Sequence, residues 1–199
     1  MKWKESQIKE EIKEIGNKND IIIDSKIIDK NEQIELLANR LKSIEFNKNK
    51  KIKFNLIYRA TRDGDSPNNY HNKCDKKAKT LCVIETIKGC KFGGYSQTMI
   101  SSSCKDYKDQ NSFVFSLNKM KIYENLKKDE SAVCHYAGWG PVFKNTFAVW
   151  NHNFFSFKKQ TVGKKSDSNF GKMDEDYEIN NREENFTIKE LEVFQILIE

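Results

Sequence analysis

Ile52-Lys-Phe-Asn-Leu-Ile-Tyr-Arg-Ala-Thr-Arg-Asp-Gly-Asp-Ser66 is the stretch on which the fold turns. Ile52, Phe54, Leu56, Tyr58 and Ala60 alternate with Lys53, Asn55, Ile57 and Arg59. Side chains of a strand point to opposite faces with a period of two, so this run predicts a strand with one well-buried face. The run ends where Gly64 and Pro67 interrupt it, and residues 61–69 read as a turn. Before it, the apolar period is helical. Ile34, Leu37, Leu41 and Ile44 form a stripe near 3.6 residues per turn, predicting a helix over 32–44 with Asp29 or Asn31 at its cap. The apolar groups Ile21-Ile22-Ile23 and Ile27-Ile28 are expected to anchor the approach to that helix in the core. Residues 4–15 carry Ile8, Ile12 and Ile15 on one helical face, with Gly16-Asn17 as a C-cap. This segment reads as the end of a longer coil or as a helix packed on the domain, and it could serve as a docking peptide for a scaffold.

Beyond residue 66 the pattern is mostly β. Residues 69–77 read as a short helix bearing Tyr70 and Cys74, and 81–87 as a strand buried on both faces. Lys88-Gly89 turns the chain into 91–96, where Gly93-Gly94 predicts a bulge or a close backbone approach. Further strands are read over 111–117, 131–136 and 142–150, the last two separated by the Gly138-Trp139-Gly140-Pro141 turn. Residues 151–181 read as irregular, and 186–197 as a closing strand with Leu191, Val193, Gln195 and Leu197 in alternation. Short strands with turn signals between them predict an α+β, mostly β fold: a two-sheet antiparallel sandwich flanked by helices. Residues 1–24 are expected to be a short helical extension and 25–199 one domain.

Composition narrows the function. Of 199 residues, 37% are apolar and 32% charged, while 13 Phe and 7 Tyr supply the bulk for a core. The net charge of +6 is unevenly spread: residues 53–170 carry 20 Lys and Arg against 10 Asp and Glu, and residues 171–199 carry 3 against 9. The middle reads as a solvated Lys-rich surface or as one that attracts an acidic partner, and the tail can neutralise part of it within the fold. No arginine cluster, helix-turn-helix pattern or RNP-type aromatic motif points to nucleic acid. Five Cys, at 74, 82, 90, 104 and 134, have no CxxC spacing, which argues against a disulfide framework or a zinc ribbon and favours a reducing compartment. The N-terminus has no apolar signal region, no run is long enough to span a bilayer, and no lipidation motif is found. A cytoplasmic location is expected.

Motifs that resemble active centres do not assemble. His71-x-x-Cys74 offers two metal ligands where four are needed, and Cys134 and His135, adjacent in a strand, face opposite ways. The glycines at 89, 93 and 94 do not open a helix as a phosphate loop would. Asp63 and Asp65 lack the other ligands of a calcium loop. No catalytic residue, metal or cofactor is expected. Arg59-x-x-Arg62-Asp63-Gly64-Asp65 reads either as a structural turn capped by Asp63 or as a partner-facing charged loop. Cys104, in a Ser-rich loop beside Lys105, is the best candidate for a redox-active thiol.

An ordered series of blocks resembles the TLDc (oxidation-resistance) family. Asn55-Leu-Ile-Tyr-Arg-Ala-Thr-Arg-Asp-Gly-Asp-Ser66 is similar to its opening signature, and Tyr70-His-Asn-Lys-Cys-Asp75 to its aromatic-His-x-x-Cys-Asp helix. Thr80-Leu-Cys-Val-Ile, Phe92-Gly-Gly-Tyr95, Lys108-Asp-Gln-Asn-Ser-Phe-Val-Phe-Ser-Leu117 and Phe186-Thr-Ile-Lys-Glu-Leu-Glu-Val-Phe-Gln195 follow in the family's order, spanning about 25–198. The resemblance marks Arg59, Arg62, Asp63, Gly64, Asp65, His71, Cys74, Asp75, Phe92, Gly93, Gly94, Phe113, Gly140, Pro141, Phe143, Glu190 and Glu192 as family-signature positions. One block departs. Gly140-Pro141-Val142-Phe143 fits, but Lys144 stands where the family usually has Gly, and Ala148-Val149-Trp150 lacks the Asp that usually follows. The resemblance implies a β-sandwich without established catalytic residues, protection against oxidative stress, and binding to catalytic-sector subunits of the vacuolar-type proton-pumping ATPase, with recruitment to an acidic-organelle membrane through that protein. Lys105 and Lys108, in the exposed 101–110 loop, are the candidate partner contacts.

Overall fold

A computed structural model of the chain describes residues 21, 23–44, 51–150, 153–171 and 173–198. The helix expected over 4–15 lies outside the described residues. Two antiparallel sheets of six strands each face one another. The first sheet runs, in spatial order, β1 (Ile52–Arg59), β12 (Ile188–Ile198), β2 (Thr80–Thr86), β3 (Lys91–Ser96), β5 (Phe113–Ser116) and β6 (Lys121–Glu124). The second runs β11 (Asn185–Phe186), β10 (Gln160–Val162), β9 (Phe147–Ala148), β8 (Val142–Phe143), β7 (Ser131–His135) and β4 (Lys105–Lys108). Helix α1 (Asn31–Ile44) covers the outer face of the first sheet, and α2 (Ala60–Asp63) and α3 (Pro67–Cys74) follow β1. Among the described residues no helix is long and apolar enough to cross a membrane.

Alternation along each strand sorts side chains into two cores. Tyr58, Cys82, Ile84, Phe92, Val114, Leu191 and Val193 of the first sheet meet Val133, Phe143, Phe147, Val162 and Phe186 of the second. Phe92 makes edge contacts with Phe147 (5.5 Å) and Phe186 (5.2 Å), joining the sheets through T-shaped rings. On the other side of the first sheet, Phe54, Leu81, Val83, Phe113, Phe115, Phe194 and Ile196 pack against Leu37, Leu41 and Ile44 of α1 and against Ile27 and Ile28. The helical stripe and Ile21, Ile23, Ile27 and Ile28 of the isoleucine anchor therefore lie where the sequence pattern places them, while Ile22 lies outside the described residues. The glycine pair marks a close approach. A Cβ on Gly93 would press into the Cys82 carbonyl oxygen of β2, and one on Gly94 into the ring of Phe143, which crosses from the facing sheet.

Several elements differ from the local reading. Residues 61–69 are not a plain turn: α2 occupies their start, and Ser66 caps α3, its Oγ accepting the Asn69 N–H at 3.2 Å with Pro67 in the first turn. Asp29 does not cap α1; its carboxylate pairs with Lys91 (2.8 Å), and its N–H is held by Gln33 Oε1 (3.2 Å). The 142–150 run folds back on itself as β8 and β9, because Asn145 turns it in the left-handed region at φ 58°. Residues 160–162, expected to be irregular, supply β10, and 105–108, expected in a loop, form β4. Strand β12 lies between β1 and β2, with the second sheet over one face and α1 and the segment ahead of it over the other, so Glu190, Glu192, Phe194 and Ile196 are as inaccessible as Leu191 and Val193.

Gly93→Ala is expected to cost about 3 kcal/mol, since a strand backbone cannot step aside, and Gly94→Ala less, since the Phe143 ring can tilt. Urea midpoints for the two variants check the order; a larger loss at Gly94 would contradict it.

Candidate functional site

The signature residues between β1 and α3 converge with the end of β12. Arg59 lies directly opposite Glu192 in the β1–β12 ladder. Its Nε donates to Glu192 Oε1 at 2.6 Å, and its Nη2 donates to the Asp24 carboxylate (2.8 Å) and carbonyl (2.9 Å). Glu192, 0% exposed, also accepts from Ser25 Oγ (2.5 Å) and from the Lys26 N–H (2.9 Å). Glu190 reaches α2, accepting the Thr61 N–H (3.1 Å) and the Thr61 hydroxyl. Asp63 accepts the Arg59 N–H (2.9 Å) and pairs with exposed Arg62 (2.8 Å). Burial raises the Asp63 carboxyl's pKa, but Arg62 and the Arg59 N–H outweigh this and hold it below the usual range. Gly64, at φ 100°, gives its carbonyl to Tyr58 Oη (2.6 Å), and the Asp65 carbonyl accepts the Phe154 N–H (2.6 Å). Of the two readings of this charged turn, the geometry matches the structural one: most of its polar groups have intramolecular partners.

A second junction forms around His71. Its Nδ1 lies 2.7 Å from Asp75 Oδ1, and its Nε2 lies 2.9 and 3.0 Å from the carbonyls of Tyr136 and Trp139. Ser102 Oγ donates to the other Asp75 oxygen at 2.8 Å. The ring thus ties α3 to the turn after β7 and, through Asp75, to the serine loop. Both ring nitrogens face acceptors within the molecule, and Cys74 beside it is buried with its thiol pKa pushed well up by desolvation. Among the described residues no group of three His, Cys, Asp or Glu converges on a metal position. Burial pushes the thiols of Cys82 and Cys134 up to about 12 and raises that of Cys90, while it lowers His135 to about 4, so this ring is neutral at pH 7. His135 faces a cavity of about 30 Å³ between the sheets and has an unpartnered Nδ1. Cys104 is exposed, in the left-handed region at φ 56°.

Phe92, Gly94 and Phe143 belong to the inter-sheet core, and Gly93, beside Phe115, and Phe113, stacked on Tyr95 at 5.3 Å, to the helix-covered face. Gly140 and Pro141 exchange backbone hydrogen bonds with Val149. The outer face of the second sheet holds what the sequence reading missed. Lys144, in the altered hairpin, pairs with Asp106 of β4, which also accepts from Tyr136 Oη at 3.0 Å. The replacement of Gly by Lys is therefore matched by a carboxylate two strands away, and this bond to Lys144 holds the Asp106 carboxyl below its ordinary range. Trp150 packs edge-on against Trp139 (4.5 Å), which meets Tyr136 (4.6 Å), and these rings roof Cys134, Val142 and Ala148. Beside them lies a groove of about 470 Å³ lined by Lys144, Trp150, Thr161, Lys164 and Glu184. No local signal joins Asp106 to Lys144, since 38 residues separate them.

Charge is redistributed by the fold. The acidic tail pairs with one part of the basic middle: Lys88 with Glu183 (2.7 Å), Lys119 with Glu175 (3.4 Å), and Lys121 with Asp174 (2.8 Å) and Glu178 (3.1 Å). Lys105 and Lys108, exposed on β4, have no carboxylate partner among the described residues. Neither do Lys76 and Lys77, which lie beside the chain entering β4: the Lys76 N–H donates to the Ile100 carbonyl and the Ile100 N–H to that of Lys77, both at 2.9 Å.

A family model for the TLDc domain matches residues 22–197. A search of curated proteins finds no match.

Glu192→Ala strands the Arg59 guanidinium and is expected to cost about 3–5 kcal/mol by urea denaturation; a loss under 1 kcal/mol would refute a structural role for the pair. Lys144→Met should cost about 0.5–1 kcal/mol at pH 7. Because the folded Asp106 pKa is depressed, that contribution is complete above its ordinary 3.8 and fades as pH falls through the lower folded value. The gap between wild type and Lys144→Met should therefore close in acid, and a gap that persists there would exclude this pair as its source.

Proposed function

The chain belongs to the TLDc family, and from this we propose that it is a non-enzymatic binding module for the catalytic sector of the vacuolar-type proton-pumping ATPase. On this reading the module favours inhibition or disassembly of the pump and contributes to oxidative-stress resistance. It acts from the cytoplasm and reaches an acidic-organelle membrane only through its protein partner. The observation that carries the reading is the segregation of charge. The acidic tail neutralises Lys88, Lys119 and Lys121, while Lys105 and Lys108 remain open on one side of the second sheet. Open cations on a rigid strand suit docking to an acidic protein surface, raising the association rate and fixing orientation. The signature polar residues, by contrast, are engaged within the molecule, which supports a binding role over chemistry at those positions.

A thiol reading has one favourable observation: Cys104 is exposed, whereas the four other thiols are raised by burial.

The purified domain is expected to retain pump catalytic-sector subunits from lysate, with binding that weakens between low and moderate salt. Lys105→Glu with Lys108→Glu should reduce retention about tenfold at low salt, and unchanged retention would show that the dock lies elsewhere. Cys104→Ser should leave peroxide resistance intact in cells expressing the variant. Loss of resistance with pump binding preserved would shift the assignment to the thiol.

A further inference from the structure

We infer that the free edge of β4 takes up an extended acidic segment of a partner protein as an added antiparallel or parallel strand. The inference rests on the binding role proposed above and specifies how that surface engages its partner. Strand β4 ends the second sheet and pairs only with β7. Among the described residues no other segment forms backbone hydrogen bonds with residues 105–108. An edge strand turns half of its N–H and C=O groups away from its neighbour, so the four-residue β4 presents outward donors and acceptors, with a register shift between Tyr107 and Lys108 at its end. At the far edge of the first sheet the equivalent row is taken at one end. The 169–171 segment lies along the end of β6, the Gly171 N–H donating to the Glu124 carbonyl at 2.7 Å and the Leu126 N–H to that of Asn169 at 3.0 Å.

Charge selects the occupant. Lys105 and Lys108 stand at the two ends of β4, with Lys76 and Lys77 beside the chain that enters it, all without carboxylate partners among the described residues. The one acid on the strand, Asp106, is already neutralised by Lys144. A second copy of β4 pairing antiparallel would set Lys105 against Lys108 twice, and directly opposed like charges destabilise a strand pair. The same lysines that reject a second copy would meet carboxylates on an acidic strand. Tyr107 is packed against the inter-sheet core and Asp106 is tied across β7 to the hairpin, so the strand is held from both faces and its edge is pre-organised. Main-chain bonds would supply affinity and the lysines selectivity, as in other strand-addition complexes. The remaining long edge, β1, offers Lys53 alone, since Arg59 is engaged by Glu192 and Asp24.

The test uses the full chain with a synthetic peptide of alternating Glu and Val, and with the same peptide N-methylated at every residue, which keeps the charge but leaves no N–H on either edge for a ladder. The parent peptide is expected to bind and to slow hydrogen exchange at residues 105–108. The N-methylated form and the Lys105→Glu, Lys108→Glu variant should each weaken binding about tenfold or more. Equal binding of the two peptides, protection at β1 instead of β4, or no binding would overturn the proposal. A parallel arm measures exchange with the pump catalytic sector bound. Salt-sensitive binding with residues 105–108 still exchanging freely would leave the functional reading standing and reject strand addition. Peptide protection of β4 without any binding of the pump sector would do the reverse.

Discussion

The ion pair between Arg59 and Glu192 is the constraint around which the first sheet is organised. Strand β12 is the last of the described strands yet lies between β1 and β2, with the second sheet over one face and α1 and the segment ahead of it over the other, so a carboxylate within it is buried. A charge in that position is tolerable only with close donors on every side. Arg59 supplies one from the directly opposed position on β1, and Ser25 and Lys26 supply the others from the segment ahead of α1. The carboxylate therefore joins the approach to α1, the first strand and the last strand. Glu190, two residues away on the same face, does the same for α2 through Thr61. Polar signature residues that look like reactive groups in the sequence are the fasteners of the fold's closure.

A second set of fasteners links the charged edge to the aromatic face. His71 joins α3 to the carbonyls of Tyr136 and Trp139, and Asp75 extends the connection to Ser102. The serine loop leads into β4, and the turn after β7 carries the tryptophan that packs on Trp150. Basic edge and aromatic roof are thus held in one frame. The two sheets differ in how their outer faces are finished. The first lies under α1, whereas the second is covered by its own side chains, with Lys144 and Asp106 beside three aromatic rings. Lys144 of the 144–150 hairpin pairs with Asp106, and the hairpin lies between β7 and β10.

The linear sequence determined what depends on neighbours along the chain. The helical stripe of 34–44, the two-sided burial of 81–84, the Gly93-Gly94 close approach and the family to which the motifs belong all follow from period and local chemistry, which a strand or helix imposes within a few residues. The excess of basic residues in the middle and of acidic residues at the end was also plain. What only the tertiary structure decided is pairing over long separations. The sequence pattern does not say that β12 inserts between β1 and β2, or that Ser25, Lys26 and Thr61 meet Glu192 and Glu190 on its buried face. Nor does it say that Asp106 reaches Lys144, that 160–162 completes the second sheet, or that 105–108 is its edge and not a loop. The tail could have neutralised any of the lysines, and the fold chose Lys88, Lys119 and Lys121 and left Lys105 and Lys108 open. The reason is physical: hydrophobic period acts locally, whereas strand order and charge partnership are set by which surfaces meet when the sheets close.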